Sequence, residues 1–131
     1  FKEAAERGDV VSMYRFANNL RDGSGIPQDK TKAYEWYGKA AAKDHLDSIN
    51  QLAVCYSSGA GVAQDQRQAY KLFKKASNLG HLQAKANLAV CYAKGLGVAV
   101  DEEESARLSL EVNNSNDADA KRILNILNPE T

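Results

Sequence analysis

Three stretches of the sequence share one pattern: RDGSGIPQD at Arg21–Asp29, SSGAGVAQD at Ser57–Asp65 and AKGLGVAVD at Ala93–Asp101. Each begins 36 residues after the previous one, contains two glycines separated by one residue, and ends on an aspartate. A fixed period of roughly 20–50 residues is typical of repeat architectures, in which each repeat is one supersecondary unit. The spacing therefore indicates a repeat protein.

The segments on either side of each glycine stretch have the apolar periodicity of an α-helix. The second stretch is preceded by Ile49, Leu52, Ala53 and Tyr56 and followed by Ala69, Leu72, Phe73 and Ala76. Spacings of three and four residues place each set on one helix face, which predicts one buried stripe per helix. We call the helix before each glycine stretch helix A and the helix after it helix B.

The glycine stretches have the composition of a turn between two helices. Glycine adopts positive φ without strain, so the pair lets the chain leave helix A and turn sharply. The apolar residues that follow (Ile26, Val62 and Val98) are expected to plug the joint, and the aspartates (Asp29, Asp65 and Asp101) to cap helix B. A phosphate-binding loop would need a preceding strand, so the structural role is favoured.

These residues resemble the Sel-1-like repeat family, a relative of the tetratricopeptide repeats. The second repeat carries most of the family pattern: Leu52, Ala53, Tyr56, Gly59, Gly61, Val62, Asp65, Ala69, Lys75, Ala76 and Gly80. The resemblance implies an all-α fold, a right-handed α-α superhelix of helix-turn-helix repeats. In the third repeat, Ser105 and Glu111 replace the usual alanine and lysine and an asparagine-rich segment follows, so we expect its helix B to be short or frayed.

The phase of the repeat predicts a single domain over residues 1–131, with repeats at 10–45, 46–81 and 82–117. Residues 1–9 align with the end of a helix B and predict the remnant of an upstream repeat. Residues 118–128 predict a capping helix A, stopped by Asn128 and Pro129, because solenoids need a terminal element with one polar face. The apolar residues at the N-terminal face are expected to support self-association.

Composition argues against several classes of partner. The sequence has 17 Lys plus Arg and 17 Asp plus Glu, so it lacks the basic footprint of a nucleic-acid-binding protein. No apolar run approaches the ~20 residues of a membrane-spanning helix, so we expect no membrane insertion.

Cysteines and histidines recur at equivalent repeat positions. Cys55 and Cys91 should lie about 10 Å apart, beyond the ~7 Å that a disulfide allows, which predicts two free, buried thiols and a cytoplasmic or other reducing compartment. His45 and His81 lie at joins between repeats without other ligand-type residues at metal-binding spacing, so turn roles are expected. Trp36 and its neighbouring tyrosines are expected to pack on the stripe of helix B. No catalytic motif stands out, so we predict no enzyme, cofactor or metal.

The related tetratricopeptide repeats use helix A to line a concave face, and the resemblance implies the same surface here. The predicted protein-binding residues are Tyr14, Asn18, Arg21, Asp47, Asn50, Val54, Gln83, Val90, Arg122 and Ile126. Asparagine can pair with a peptide backbone as donor and acceptor. The apolar row of Val54, Val90 and Ile126 indicates either a partner surface or burial between repeats.

The function implied by the resemblance is a protein-protein interaction scaffold or adaptor, as in signalling, with a peptide or a protein domain bound on the concave face. The alternative is an accessory or regulatory repeat domain of a larger multidomain enzyme, such as a protein kinase.

Overall fold

The computed structural model describes residues 2–127, and all regular structure in that range is α-helical. Eight helices occupy the described residues: α1 (Lys2–Glu6), α2 (Val10–Asp22), α3 (Lys30–Ala41), α4 (Leu46–Ser58), α5 (Gln66–Asn78), α6 (Leu82–Lys94), α7 (Glu102–Asn113) and α8 (Ala118–Leu124). The predicted all-α helical repeat fold is confirmed. The chain divides between Asp65 and Gln66 into two compact units, one with α1–α4 and the other with α5–α8.

The first unit is built around α2, which packs against α1 and α3, while α3 also packs against α4. Its apolar core comes from all four helices: Ala5, Met13, Phe16, Ala17, Leu20, Ala33, Tyr37, Ala40 and Cys55. Ile26 and Val62, from the two glycine stretches of this unit, pack against the same core. The apolar residue that follows each of these two glycine pairs is therefore partly buried on the core of the first unit.

Helix ends follow the predicted capping chemistry. Gly23 is the C-cap of α2 at φ 73°, and its N–H donates to the carbonyl oxygen of Asn19. The carboxylate of Asp29 accepts from the N–H of Lys32 at the start of α3, at 3.0 Å. Asp101 does the same at the start of α7. Each carboxylate satisfies a backbone donor that the helix itself leaves unpaired.

In the second unit, α6 packs against α5, α7 and α8. Helix α7 runs for 12 residues, the same length as α3, so the expectation of a short helix B in the third repeat is wrong. Two features stabilise α7 despite its departures from the family pattern: Asp101 caps its start, and Leu108 and Val112 are buried. The asparagine-rich segment begins only as α7 ends at Asn113.

The two terminal helices are short. Helix α1 buries Ala5 against the first unit's core, as the last turn of a helix B would. Helix α8 has seven residues, with Asp117 as its N-cap and Lys121 and Arg122 in its last turn. The predicted stop at Asn128 and Pro129 lies outside the described residues.

Candidate protein-binding surface

Three predicted binding residues lie along one face of α2, because their spacing is helical. These are Tyr14, Asn18 and Arg21. The Tyr14 ring contacts the ring of His45, the N-cap of α4, with centroids 5.1 Å apart. At the other end of the face, Nη1 of Arg21 donates to Oε1 of Gln51 on α4, at 3.0 Å. The two helices A of the first unit therefore present adjacent faces.

The side chain of Asn18 is oriented by a buried tyrosine. Tyr37 is fully buried, and its hydroxyl donates to Oδ1 of Asn18 at 2.5 Å. Burial raises the pKa of the Tyr37 phenol, which keeps it a neutral donor. Because its oxygen is engaged, the Asn18 amide keeps its nitrogen as a hydrogen-bond donor.

The side-chain oxygen of Gln51 also accepts a hydrogen bond, although Gln51 was not among the predicted binding residues. Arginine can only donate, so the contact with Arg21 fixes which end of the Gln51 amide is the oxygen and leaves Nε2 as the donor. The repeat pattern predicted the neighbouring Asn50 as a binding residue instead. The structure buries Asn50 to 3% exposure, whereas Gln51 is half-buried. No sequence signal separates two adjacent amides on a helix whose exact rotation is unknown.

The charge of Arg21 is compensated locally. Its Nε lies 2.9 Å from Oδ1 of Asp22 and its Nη2 lies 3.2 Å from Oδ2. This hydrogen-bonded pair raises the pKa of Arg21 and lowers the pKa of Asp22. The face therefore offers hydrogen-bond donors with little net charge. We call Tyr14, Asn18, Arg21, Gln51 and Val54 the α2–α4 surface.

The remaining predicted residues have different environments. On α4, Asp47 is exposed and Val54 is half-buried. In the second unit, Gln83 and Val90 are half-buried on α6. A last group lies in or just after α8: Arg122 is exposed and pairs with Asp119 at 3.3 Å, and Ile126 is 58% exposed. The structure thus brings together the α2 and α4 residues of the first unit, and places the rest on a separate unit.

The cysteines and histidines have structural environments. Cys55 and Cys91 are both free and buried, as predicted. Burial raises the pKa of Cys55 and raises the pKa of Cys91 to about 11, so neither is an activated thiolate. His45 and His81 are helix N-caps, and Nδ1 of His81 accepts from the N–H of Ala84.

The part of the chain that the structure describes has neither a metal-binding cluster nor a membrane-spanning helix. Within residues 2–127, no group of His, Cys, Asp and Glu residues could hold a metal ion. Over the same residues, no helix has the length and apolar character needed to cross a membrane.

Comparison with known proteins identifies the repeat. A family model described as Sel1 repeat matches residues 10–45, 46–81 and 82–109. The chain belongs to the Sel1 repeat family. Sel1 repeat proteins are generally scaffolds for protein interactions. A comparison with curated proteins finds no match.

Solved Sel1 repeat structures share the fold. A Sel1 repeat protein from Oxalobacter formigenes is 24% identical with a TM-score of 0.81, over 92% of this chain and 50% of that one. The protective antigen c5321 of uropathogenic Escherichia coli is 26% identical with a TM-score of 0.87, over 98% of this chain and 28% of that one. Helicobacter pylori cysteine rich protein B is 22% identical with a TM-score of 0.71, over 94% and 93%. The Sel1 repeat chain described here spans half or less of the first two.

Proposed function

We propose that this chain is a protein-interaction module that binds a segment of polypeptide on the α2–α4 surface. The family supports the general role, because Sel1 repeat proteins are generally interaction scaffolds. The α2–α4 surface supports the finer assignment, because it combines half-buried amide donors with aromatic and apolar side chains. Peptide recognition commonly uses this combination, since main-chain hydrogen bonds give affinity and side-chain contacts give specificity.

The observation that carries the proposal is that two side-chain amides, those of Asn18 and Gln51, both have their oxygen held by a hydrogen bond. Tyr37 engages the oxygen of Asn18 and Arg21 engages the oxygen of Gln51, so both amide nitrogens are left as donors. A row of pre-oriented donors matches the carbonyl oxygens of an extended peptide, and fixed side chains lose less entropy on binding.

A peptide selection tests the proposal. Random 16-residue peptides displayed on phage are enriched on the wild-type protein, and the best are measured by isothermal titration calorimetry. The Gln51→Glu variant keeps the acceptor for Arg21 but replaces the amide donor with a second acceptor. We expect affinity to fall about tenfold or more, since losing one hydrogen bond and opposing two acceptors costs at least about 1.4 kcal/mol.

Matched controls separate the site from a general charge effect. Asn116→Asp makes the same amide-to-carboxylate change at an exposed turn residue of the second unit and should leave the affinity unchanged. Both variants should melt within a few degrees of the wild type. Equal affinity for wild type and Gln51→Glu, or a library that yields no enriched peptide, rejects the proposal.

We further propose that the chain acts through binding alone, without catalysing a reaction, and that it works in a reducing compartment. The chain spans half or less of the length of the first two Sel1 relatives. An accessory domain of a larger enzyme, the alternative role, would use the same binding surface within a longer polypeptide. Two buried thiols with raised pKa support the compartment proposal. The test is to lyse cells directly into denaturant that contains an alkylating agent, so that free thiols are trapped as the protein unfolds. Both cysteines should be labelled, and a disulfide-linked pair would contradict the compartment proposal.

A further inference from the structure

Tyr37 of α3 is buried beneath the α2–α4 surface and contacts two of its residues. The Tyr37 side chain is fully buried, and its hydroxyl donates to Oδ1 of Asn18 at 2.5 Å. Its ring contacts the ring of Tyr14, with centroids 6.1 Å apart. Burial raises the pKa of the Tyr37 phenol, so the hydroxyl keeps its proton at neutral pH. The phenol is therefore a permanent hydrogen-bond donor directly under the surface.

The buried phenol decides which end of the Asn18 amide points towards it. Of the two polar atoms of a side-chain amide, only the oxygen accepts a hydrogen bond. A turn of the amide by 180° would take this acceptor away from the Tyr37 hydroxyl, and a buried donor without its acceptor is costly. Asn18 is half-buried, so its amide nitrogen is held as a donor at a position that solvent partly reaches.

The other repeats show that the helix pair folds without this hydrogen bond. In the second repeat, Phe73 takes the position of Tyr37, and it is buried to 3% exposure within the 13-residue helix α5. Valines, Val54 and Val90, take the position of Asn18 in the second and third repeats. Replacing both partners of a hydrogen bond by apolar groups is often nearly neutral for stability. The phenol and the amide of the first repeat are thus a polar pair that helix packing does not require.

From the buried hydroxyl, the engaged amide oxygen and the apolar residues at these positions of the second repeat, we infer that Tyr37 is a positioning residue that sets the specificity of the α2–α4 surface. It fixes Asn18 as a donor, so the surface selects a partner with a carbonyl oxygen at this point and discriminates against an N–H group. An amide free to turn would be competent for a carbonyl in only part of the molecules, and affinity falls by that fraction. Because peptide binding on this surface is itself the proposed function, the role of Tyr37 rests on that proposal.

The order of the Asn18 side chain in the free protein gives the first test. Tyr37→Phe removes the hydroxyl and keeps the ring that packs against Tyr14. The ¹⁵N order parameter of the Asn18 amide, assigned by its loss in Asn18→Ala, should fall to the range of flexible groups, roughly 0.6 or less. Tyr34→Phe is the matched control, because it deletes a phenol hydroxyl from the same helix, one that pairs with Tyr56 at 2.9 Å. It should leave the Asn18 order parameter unchanged.

A double-mutant cycle separates positioning from a structural effect on binding. The affinity of a peptide selected on the wild type is measured by calorimetry for the wild type, Tyr37→Phe, Asn18→Ala and the double variant. We expect Tyr37→Phe to weaken binding about two- to fivefold, because the amide then samples both orientations. In the Asn18→Ala background the same change should alter the affinity by less than about 1.3-fold, since no amide is left to position. Tyr34→Phe should bind like the wild type.

Two results overturn the role of Tyr37. The first is an Asn18 order parameter that stays at its wild-type value in Tyr37→Phe. The second is a Tyr37→Phe effect on affinity that is absent, or that is equal with and without Asn18, since an equal effect is purely structural. These outcomes leave the proposed function standing. A protein that binds no selected peptide rejects the proposed function, and the specificity role falls with it.

Discussion

The hydroxyl of Ser105 donates a 2.8 Å hydrogen bond to the main-chain carbonyl of Ala89, joining α7 to α6. Ser105 occupies the repeat position of Ala33 and Ala69, which are both buried. The polar residue is buried as well, at 6% exposure, and its hydroxyl is satisfied. A departure from the repeat pattern is therefore accommodated without an unpaired polar group.

The third repeat should consequently be as well formed as the first. We expect Ser105→Ala to change the free energy of unfolding by less than about 1 kcal/mol, because one hydrogen bond is lost and no buried donor is left unpaired. Hydrogen exchange followed by mass spectrometry should show central amides of α7 protected to a similar degree as those of α3. Exchange of α7 at the rate of an exposed turn would contradict this account.

Gly25 and Gly61 supply a second prediction, because both have a φ of 77° but only Gly61 lies against another backbone. A Cβ built on Gly61 would lie 2.2 Å from the carbonyl oxygen of Lys30, whereas one on Gly25 would meet nothing within 4 Å. Gly25→Ala should cost about 1–2 kcal/mol of unfolding free energy, the strain of positive φ alone. Gly61→Ala adds a collision with the backbone of Lys30 and should cost roughly 3 kcal/mol or more. Urea denaturation of the two variants measures the difference. Equal losses would show that the close approach at Gly61 is relieved without cost.

The hydroxyl oxygens of Tyr34 on α3 and Tyr56 on α4 lie 2.9 Å apart, and this pair predicts that stability falls at alkaline pH. The hydrogen bond with Tyr56, together with burial, raises the pKa of Tyr34 to about 12 from an ordinary value of 10. Between these values the folded state retains a proton that the unfolded chain has lost, so stability is present below about pH 10 and is lost as the pH rises towards 12. Urea midpoints should therefore fall between pH 9.5 and 11.5.

Substitution identifies the source of this loss. Tyr34→Phe should show a smaller fall in the midpoint over the same range, whereas Tyr14→Phe, which removes a phenol outside the pair, should keep the wild-type slope. A wild-type slope in Tyr34→Phe would assign the alkaline loss to other groups.

The repeat fold was predictable from the sequence because its determinants are local and occur three times. Glycines at 36-residue spacing and closing aspartates each have one favoured structural role, so Gly23 and Asp29 took their expected places. The binding surface was only partly predictable. Phase alone could not establish that helix rotation buries Asn50 and leaves Gln51 half-exposed, nor that a hydroxyl from α3 would orient Asn18.

The thiols supply a fourth prediction. Because burial raises the pKa of Cys91 to about 11, little of its reactive thiolate exists near pH 8. Iodoacetamide should label the native protein at least about 100-fold more slowly than the unfolded protein, which should react at two sites per chain. Rapid labelling of Cys91 in the native state, mapped by peptide mass spectrometry, would show that α6 opens readily.

The most direct test of the central claim observes the two amide groups themselves. In a ¹H–¹⁵N spectrum, the side-chain NH₂ signals of Asn18 and Gln51 are assigned by their loss in Asn18→Asp and Gln51→Glu. A selected peptide is then titrated into the wild-type protein. If the α2–α4 surface binds polypeptide through these donors, both pairs of signals shift downfield in proportion to the bound fraction. Saturation with peptide while both pairs stay in place would contradict the account.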